Sequence, residues 1–317
     1  MRDVAVLAET LRLEKEITRR GVCKGMNNIG VLPCDKGVLY NARRFFLVRF
    51  SVMAMNPMLT IARRAAEEAG KILQLGQRQL DQIQIEEKGR GDLVSVVDRR
   101  AEEVIKNVLL DKYPQHDFLG EESGETRASA EESEYCWVID PLDGTTNYLH
   151  GLPQFAVSIG LLKRGKPELG VVYNPVSEEW FTAARGEGAQ LNGRRLRVSS
   201  LRDGGRAIAA TGFPFRDPDL LTRQYALLAS VLQEIADVRR LGSAALDLCF
   251  VAANRLDGYF EMGIKPWDIC AGMLIAQEAG AIASDFSGGQ DMLERGEIVA
   301  GNIYLHKILL TRLAAVA

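Results

Sequence analysis

The chain is predicted to fold as an α/β sandwich, and three observations carry that prediction. Apolar residues recur at helical spacing after residue 55, near 96–112 and near 267–279. Short strand-like segments separated by turns fill 155–191. Strands and helices alternate from residue 207 onward, a mixture that requires layers of both kinds around shared apolar faces. With 317 residues, 47% hydrophobic and 26% charged, the chain can bury a large core as one domain or as two tightly packed halves.

The elements follow in order. From 56 to about 80, Met58, Ile61, Ala62, Ala65, Ala69, Ile72 and Leu73 share one helical face, with Arg63, Arg64, Glu67 and Lys71 opposite. A second helix over 96–112 turns Val97, Ala101, Val104, Ile105, Val108 and Leu109 inward and carries Asp98 in its first turn, where a carboxylate is favoured. Residues 127–134 are small and polar, hence a loop. An apolar strand from Trp137 ends at Asp140. Segments 155–162, 168–173, 179–184 and 189–191 then form a meander, joined by turns such as Lys163-Arg164-Gly165-Lys166. The second half reads as a strand at 207–211, a helix at 219–234, a strand into Arg239-Arg240, a helix at 244–253, a strand at 258–261, a helix at 267–279, a strand at 299–302 and a last helix.

The first 54 residues differ from the rest. They hold ten Lys and Arg against five Asp and Glu, whereas the remainder is acidic by eight charges, and their apolar periodicity is poor beyond 4–17. The apolar stretch 45–54 lies too far from Met1, is interrupted by Arg49, and is too short to be a signal core or a membrane span. Residues 1–54 are therefore expected to be an N-terminal extension, either disordered or a misassigned start with Met55 as the true one; a basic docking arm is the competing reading.

The chemistry concentrates in Asp140-Pro141-Leu142-Asp143-Gly144-Thr145-Thr146. Two carboxylates at the end of a strand can converge on a hard divalent cation, and Pro141 stiffens the turn between them. The Gly-Thr-Thr that follows offers backbone N–H groups at a helix start, where a phosphoryl oxygen is stabilised. An ordinary Asp-Gly turn with a threonine cap would read the same way. Three further acidic segments favour the metal reading: Gly120-Glu121-Glu122 after a short apolar run, Lys265-Pro266-Trp267-Asp268 opening an apolar helix, and Lys88 ahead of Asp92 and Asp98.

These segments, in this order, resemble the inositol monophosphatase family from about Met55 to the C-terminus, with signature stretches at 137–147 and 267–280. The resemblance implies an αβαβα sandwich of the sugar-phosphatase type. It also implies a Mg²⁺-dependent, Li⁺-sensitive phosphatase acting on inositol monophosphate and related polyol phosphates, with two or three ions per site. Glu121, Asp140 and the Leu142 carbonyl would hold one Mg²⁺; Asp140, Asp143 and Asp268 a second; a third would sit near Glu121. Asp98, Thr145 and Glu121 are the implied catalytic residues, with Asp98 and the Thr145 hydroxyl on the attacking water. On the substrate side it implies Leu142, Asp143, Gly144, Thr145, Arg239, Ala244, Glu261 and Asp268, with Ser243 beside Ala244 and with Arg240 near a subunit interface. Arg239-Arg240 as a solvated strand end, Glu261 as a surface carboxylate and Lys88 as a plain loop lysine remain the alternatives. Ser95 stands where many members have threonine, which keeps the hydroxyl.

The resemblance further implies a homodimer and, through a bacterial branch of the family, a Nus-type role with RNA polymerase in ribosomal RNA antitermination. Fructose-bisphosphate and phosphoadenosine phosphatases share the same metal chemistry and stay open as alternatives. A net charge of -3 argues against bulk nucleic-acid affinity and specific DNA binding. Five cysteines without Cys-x-x-Cys spacing indicate neither a disulfide framework nor a zinc site, which suits a reducing cytoplasm. Three histidines, none in a nucleophile motif, leave carboxylates to carry the chemistry.

Overall fold

The computed structural model describes residues 56–316 apart from 80–84, 90–91, 130–132 and 216, and describes 85–89 and 92–95 by their backbone alone. The expectations for residues 1–54 and for the Lys88 side chain lie outside the described residues.

Helix α1 (Pro57–Gln77) starts where the Asn56 side chain accepts from the Met58 N–H at 3.0 Å, with Pro57 in the first turn. A hairpin follows, β1 (Ile85–Gly89) and β2 (Asp92–Ser95), paired antiparallel. It leads into α2 (Val96–Leu110), whose buried stripe is Asp98, Ala101, Glu102, Ile105 and Leu109. Two carboxylates thus interrupt an otherwise apolar face. Next come β3 (Asp117–Gly120), β4 (Gly124–Thr126), β5 (Tyr135–Asp143) and the short α3 (Thr145–Leu149). The expected meander is β6 (Ala156–Lys163), β7 (Lys166–Asn174), β8 (Glu179–Ala184) and β9 (Gly188–Leu191), extended by β10 (Arg194–Arg195).

These strands form an eight-stranded sheet in the order β10-β9-β8-β7-β6-β5-β3-β4, with β3 and β5 its parallel pair. The second sheet is built from β11 (Ile208–Thr211), β12 (Asp237–Arg239), β13 (Gly258–Met262), β14 (Ile282–Ser284) and β15 (Glu297–Gly301), in the order β12-β11-β13-β15-β14. Between its strands run α4 (Pro218–Val231), α5 (Ala244–Ala252), α6 (Pro266–Glu278), α7 (Met292–Arg295) and, after β15, α8 (Ile303–Ala314).

The layers read α1 and α2, the eight-stranded sheet, α5 and α6, the five-stranded sheet, then α4 and α8, which is the αβαβα order. Helices α1 and α2 pack on β5, β6 and β7, while α6 packs on β5 through β9 on one side and on β14 and β15 on the other. A helix caught between two sheets has no solvent face. Ile269 through Ala276 of α6 are accordingly all buried, as are Leu246, Leu248, Cys249 and Val251 of α5. Fully burying one such large apolar side chain is worth about 1.5–3 kcal/mol. The middle layer therefore fixes the separation of the two sheets, and with it the cleft between the ends of β5, β11 and β13. Among the described residues, no helix is long and apolar enough to cross a membrane.

Candidate active site

The end of β5 is bulged. Asp140 lies opposite Ser158 of β6, but Asp143 lies opposite Ala156, so three steps on β5 face two on β6. In a regular strand, residues three apart point to opposite faces; the extra residue returns Asp143 to the side of Asp140. The Leu142 N–H donates to Asp140 Oδ1 at 2.9 Å, closing the turn. Gly144 then adopts a φ of 98°, and a Cβ there would meet the Gln154 carbonyl oxygen at 2.8 Å, so only glycine fits. Asn147 clamps the turn by donating to the Gln154 carbonyl at 2.7 Å and to the Leu241 carbonyl at 2.8 Å.

Each acidic residue is held from a different element. Asp143 Oδ2 accepts from Ser243 Oγ at 2.6 Å and from the Ala245 N–H at 2.7 Å, at the start of α5. Asp268 sits in the first turn of α6 and accepts from the Lys265 N–H at 2.8 Å. Glu121 follows β3 in a turn held by Glu102 of α2. The buried Glu102 carboxylate accepts from the Glu122 and Ser123 N–H groups, each at 2.9 Å, and would lie 2.5 Å from a Cβ on Gly120. One turn earlier on the same helix face, Asp98 Oδ1 lies 3.3 Å from Thr145 Oγ1, which also lies 3.0 Å from the Leu142 carbonyl. The threonine hydroxyl has one proton and can donate to only one of these at a time.

These groups open on a single cleft of about 790 Å³. Glu121, Asp140, Leu142, Asp143, Gly144, Thr145, Ser243, Ala244, Glu261 and Asp268 all line it, and Asp98 reaches it through Thr145. Arg239 is not brought there. It is exposed and pairs with Asp237 at 2.6 Å, whereas Arg240 lines the cleft. Strand alternation explains the exchange, because consecutive residues at a strand end face opposite ways. The cleft also takes Phe213, Pro214, Phe215, Asp217, Asp247, Lys265 and Arg295, none of which the sequence reading placed there. Asp247 and Glu102 had a usable signal: each is a carboxylate within a buried helical stripe.

The acidic residues disturb one another. Burial, then Glu121, Asp143 and Asp268, hold the Asp140 carboxyl well above the usual carboxylate range, and Glu121 and Asp140 share a hydrogen bond. Burial raises Asp143 to about 6 despite the Ser243 hydroxyl, the Ala245 and Ala244 N–H groups and Arg240. Burial, then Asp143 and Glu121, also raise Asp268. Glu261, seated against Gly212 and bonded to the Tyr259 hydroxyl, is pushed up by burial to about 7.

A cation would relieve this repulsion, and the donor set is one of hard oxygens: four carboxylates and a backbone carbonyl, which suits Mg²⁺. No three His, Cys, Asp or Glu side chains among the described residues close into a ready-made cage. Mg²⁺ does not require one, since it keeps several waters and takes one or two carboxylates directly.

Five alternating layers around an acid-lined cleft define a fold shared with sugar-phosphatase-type proteins. The chain belongs to the inositol monophosphatase family, whose model matches residues 54–317. It is 48% identical over 259 residues to the Nus factor SuhB of Pasteurella multocida, covering 82% of this chain and 96% of that protein. Among solved structures it resembles the extragenic suppressor protein suhB of Bartonella henselae, at 41% identity and a TM-score of 0.78, covering 81% of this chain and 98% of that one. It also resembles the inositol monophosphatase of Anabaena, at 38% identity and a TM-score of 0.71, covering 82% and 96%.

Proposed function

We propose that this chain hydrolyses phosphate monoesters of polyols, inositol monophosphate among them, with Mg²⁺ held in the acidic cleft. The observation that carries this reading is the convergence of Glu121, Asp140, Asp143 and Asp268 on one cleft beside the Asp98–Thr145 hydrogen bond. Glu121, Asp140 and the Leu142 carbonyl would hold one ion, Asp140, Asp143 and Asp268 a second, and Glu121 would border a third. When bound, Mg²⁺ supplies charge neutralisation for the phosphoryl oxygens and acidifies water.

The protein groups supply the rest. Asp98 accepts a proton relayed through the Thr145 hydroxyl from the attacking water, and the two residues together orient that water for in-line approach. The Gly144 and Thr145 N–H groups grip the phosphate, fixed in position by the Asn147 clamp. Glu261 and the Ser243-Ala244 turn receive the alcohol.

Phosphate release from a panel of polyol and sugar phosphates, with and without Mg²⁺ and Li⁺, tests this reading. The panel should include fructose bisphosphate and phosphoadenosine phosphates, which related metal sites accept. Turnover should require Mg²⁺ and fall with Li⁺. Asp140→Asn should abolish it; full activity of that variant in Mg²⁺ ends the assignment.

A second reading rests on the identity to proteins named Nus factor SuhB. It makes the chain a factor that joins RNA polymerase during ribosomal RNA transcription in the cytoplasm, alongside or instead of turnover. An inactive Asp140→Asn protein that still supports that transcription would separate the two roles. Sedimentation of the purified protein tests the homodimer that the family implies.

A further inference from the structure

Asp247 lies in the first turn of α5, is 2% exposed, and lines the cleft. Its Oδ1 is buried and has no hydrogen-bond partner. An unpaired buried carboxylate oxygen is among the costliest features a core can hold, and such an atom calls for an explanation. The helix start accounts for little: a carboxylate in a first turn gains far less than desolvating a charge costs. Its charged surroundings do not help either. Glu261 and Asp143 face it as like charges, and among the described residues Arg240, whose guanidinium lies against Gly242, is the one opposing cation.

Among the described residues no donor reaches Asp247 Oδ1, and the open direction is the cleft. The partner that fits is a neutral hydroxyl arriving with the ligand, because it donates a hydrogen bond without needing a counter-charge. Glu261, at the end of β13 beside it, already accepts from Tyr259 and has further acceptor capacity toward the same space.

We infer that Asp247 is a specificity-determining residue that, together with Glu261, accepts hydroxyls of the alcohol portion, so that the site selects phosphates of polyhydroxylated alcohols over phosphates of simple or aryl alcohols. The inference rests on the phosphatase reading for its consequence in turnover. In this reading Asp247 contacts the alcohol portion and takes no proton in the reaction.

The test compares inositol monophosphate with p-nitrophenyl phosphate, which has no free hydroxyl beside the ester, using the full chain with Mg²⁺. Asp247→Ala should lower the ratio of the two kcat/KM values by about tenfold or more, as expected for a lost hydrogen bond to a charged acceptor, through KM for the polyol phosphate. Asp247→Asn keeps a carbonyl acceptor in the same place and should recover most of the ratio. It also removes a buried charge without changing shape, so its melting temperature should equal or exceed that of the parent. Calorimetric binding of inositol monophosphate, which needs no turnover, should weaken in Asp247→Ala and recover in Asp247→Asn. An unchanged ratio, an equal loss on both substrates, or binding that Asp247→Ala leaves intact overturns the inference while leaving the phosphatase reading standing. Binding that follows the expected order in a protein with no turnover on any phosphate overturns the phosphatase reading alone. A chain that binds no polyol phosphate overturns both.

Discussion

Replacing Glu102 with alanine would release the turn that presents Glu121. The Glu102 carboxylate accepts two backbone N–H groups at 2.9 Å each, from Glu122 and Ser123, and is itself 2% exposed. A hydrogen bond to a charged group contributes about 1.5–3 kcal/mol, and both donors are part-buried, so the lower figure for each gives about 3 kcal/mol for the pair. At roughly 2–4 °C per kcal/mol for a domain of this size, the melting temperature should drop by about 6–12 °C. The same loss frees Glu121 from its place beside Asp140, so Mg²⁺ affinity measured by titration calorimetry should fall as well. Glu102→Gln keeps one acceptor but turns an amide N–H₂ toward the second donor, and should fall between alanine and the parent. Alanine substitution with an unchanged melting temperature and unchanged Mg²⁺ affinity would refute the idea that Glu102 holds the ligand turn.

Further outcomes follow from the same geometry. Asp143 is raised to about 6 by burial, so protons compete with the ion there, and Mg²⁺ affinity should climb as pH rises through about 6. The linkage has a second face: without Mg²⁺ the folded state holds protons that the unfolded chain releases near pH 4, so stability should decline from pH 4 to above 6, and added Mg²⁺ should restore more of it at pH 7.5 than at pH 5 in thermal melts. Gly144→Ala forces a side chain into a φ of 98° and against the Gln154 carbonyl, and should cost at least about 1–2 kcal/mol in denaturant unfolding. Thr145→Val removes the hydroxyl between Asp98 and the Leu142 carbonyl; kcat should fall about 10²-fold or more with KM little changed, while Thr145→Ser retains most of the rate.

Much of this architecture is legible from residue patterns, and the gaps have physical causes. Helices α1 and α2 and the β6–β9 meander announce themselves because each has one wet and one dry side, which imposes a period. The acids of the cleft stand out as a pair at a strand end with further acidic segments elsewhere, while the roles given to each come from the family resemblance. Hairpin β1–β2 is harder: its first strand reads Ile-Glu-Glu-Lys-Gly, with no alternation to detect. Strand β14 has three residues, too few for any period. Choosing between Arg239 and Arg240 requires the register at the end of a three-residue strand, which is set by pairing with β11 and not by local sequence. The wall formed by Phe213, Pro214 and Phe215 depends on where the loop after β11 ends up, a tertiary matter. Asp247 and Glu102 carry a signal of another kind: a carboxylate set within an otherwise apolar helical stripe marks the position as unusual without saying what it faces.

The extra residue in β5 makes this site sensitive to spacing more than to composition. Asp140 and Asp143 cooperate because the strand skips one beat between them. Flattening the bulge while keeping all of its residues would place the two acids three apart in a regular pleat and turn them to opposite faces. Every side chain named in the chemistry would still be encoded, yet the two carboxylates would no longer share the cleft; substitutions that straighten the strand should therefore be tolerated least across these four positions.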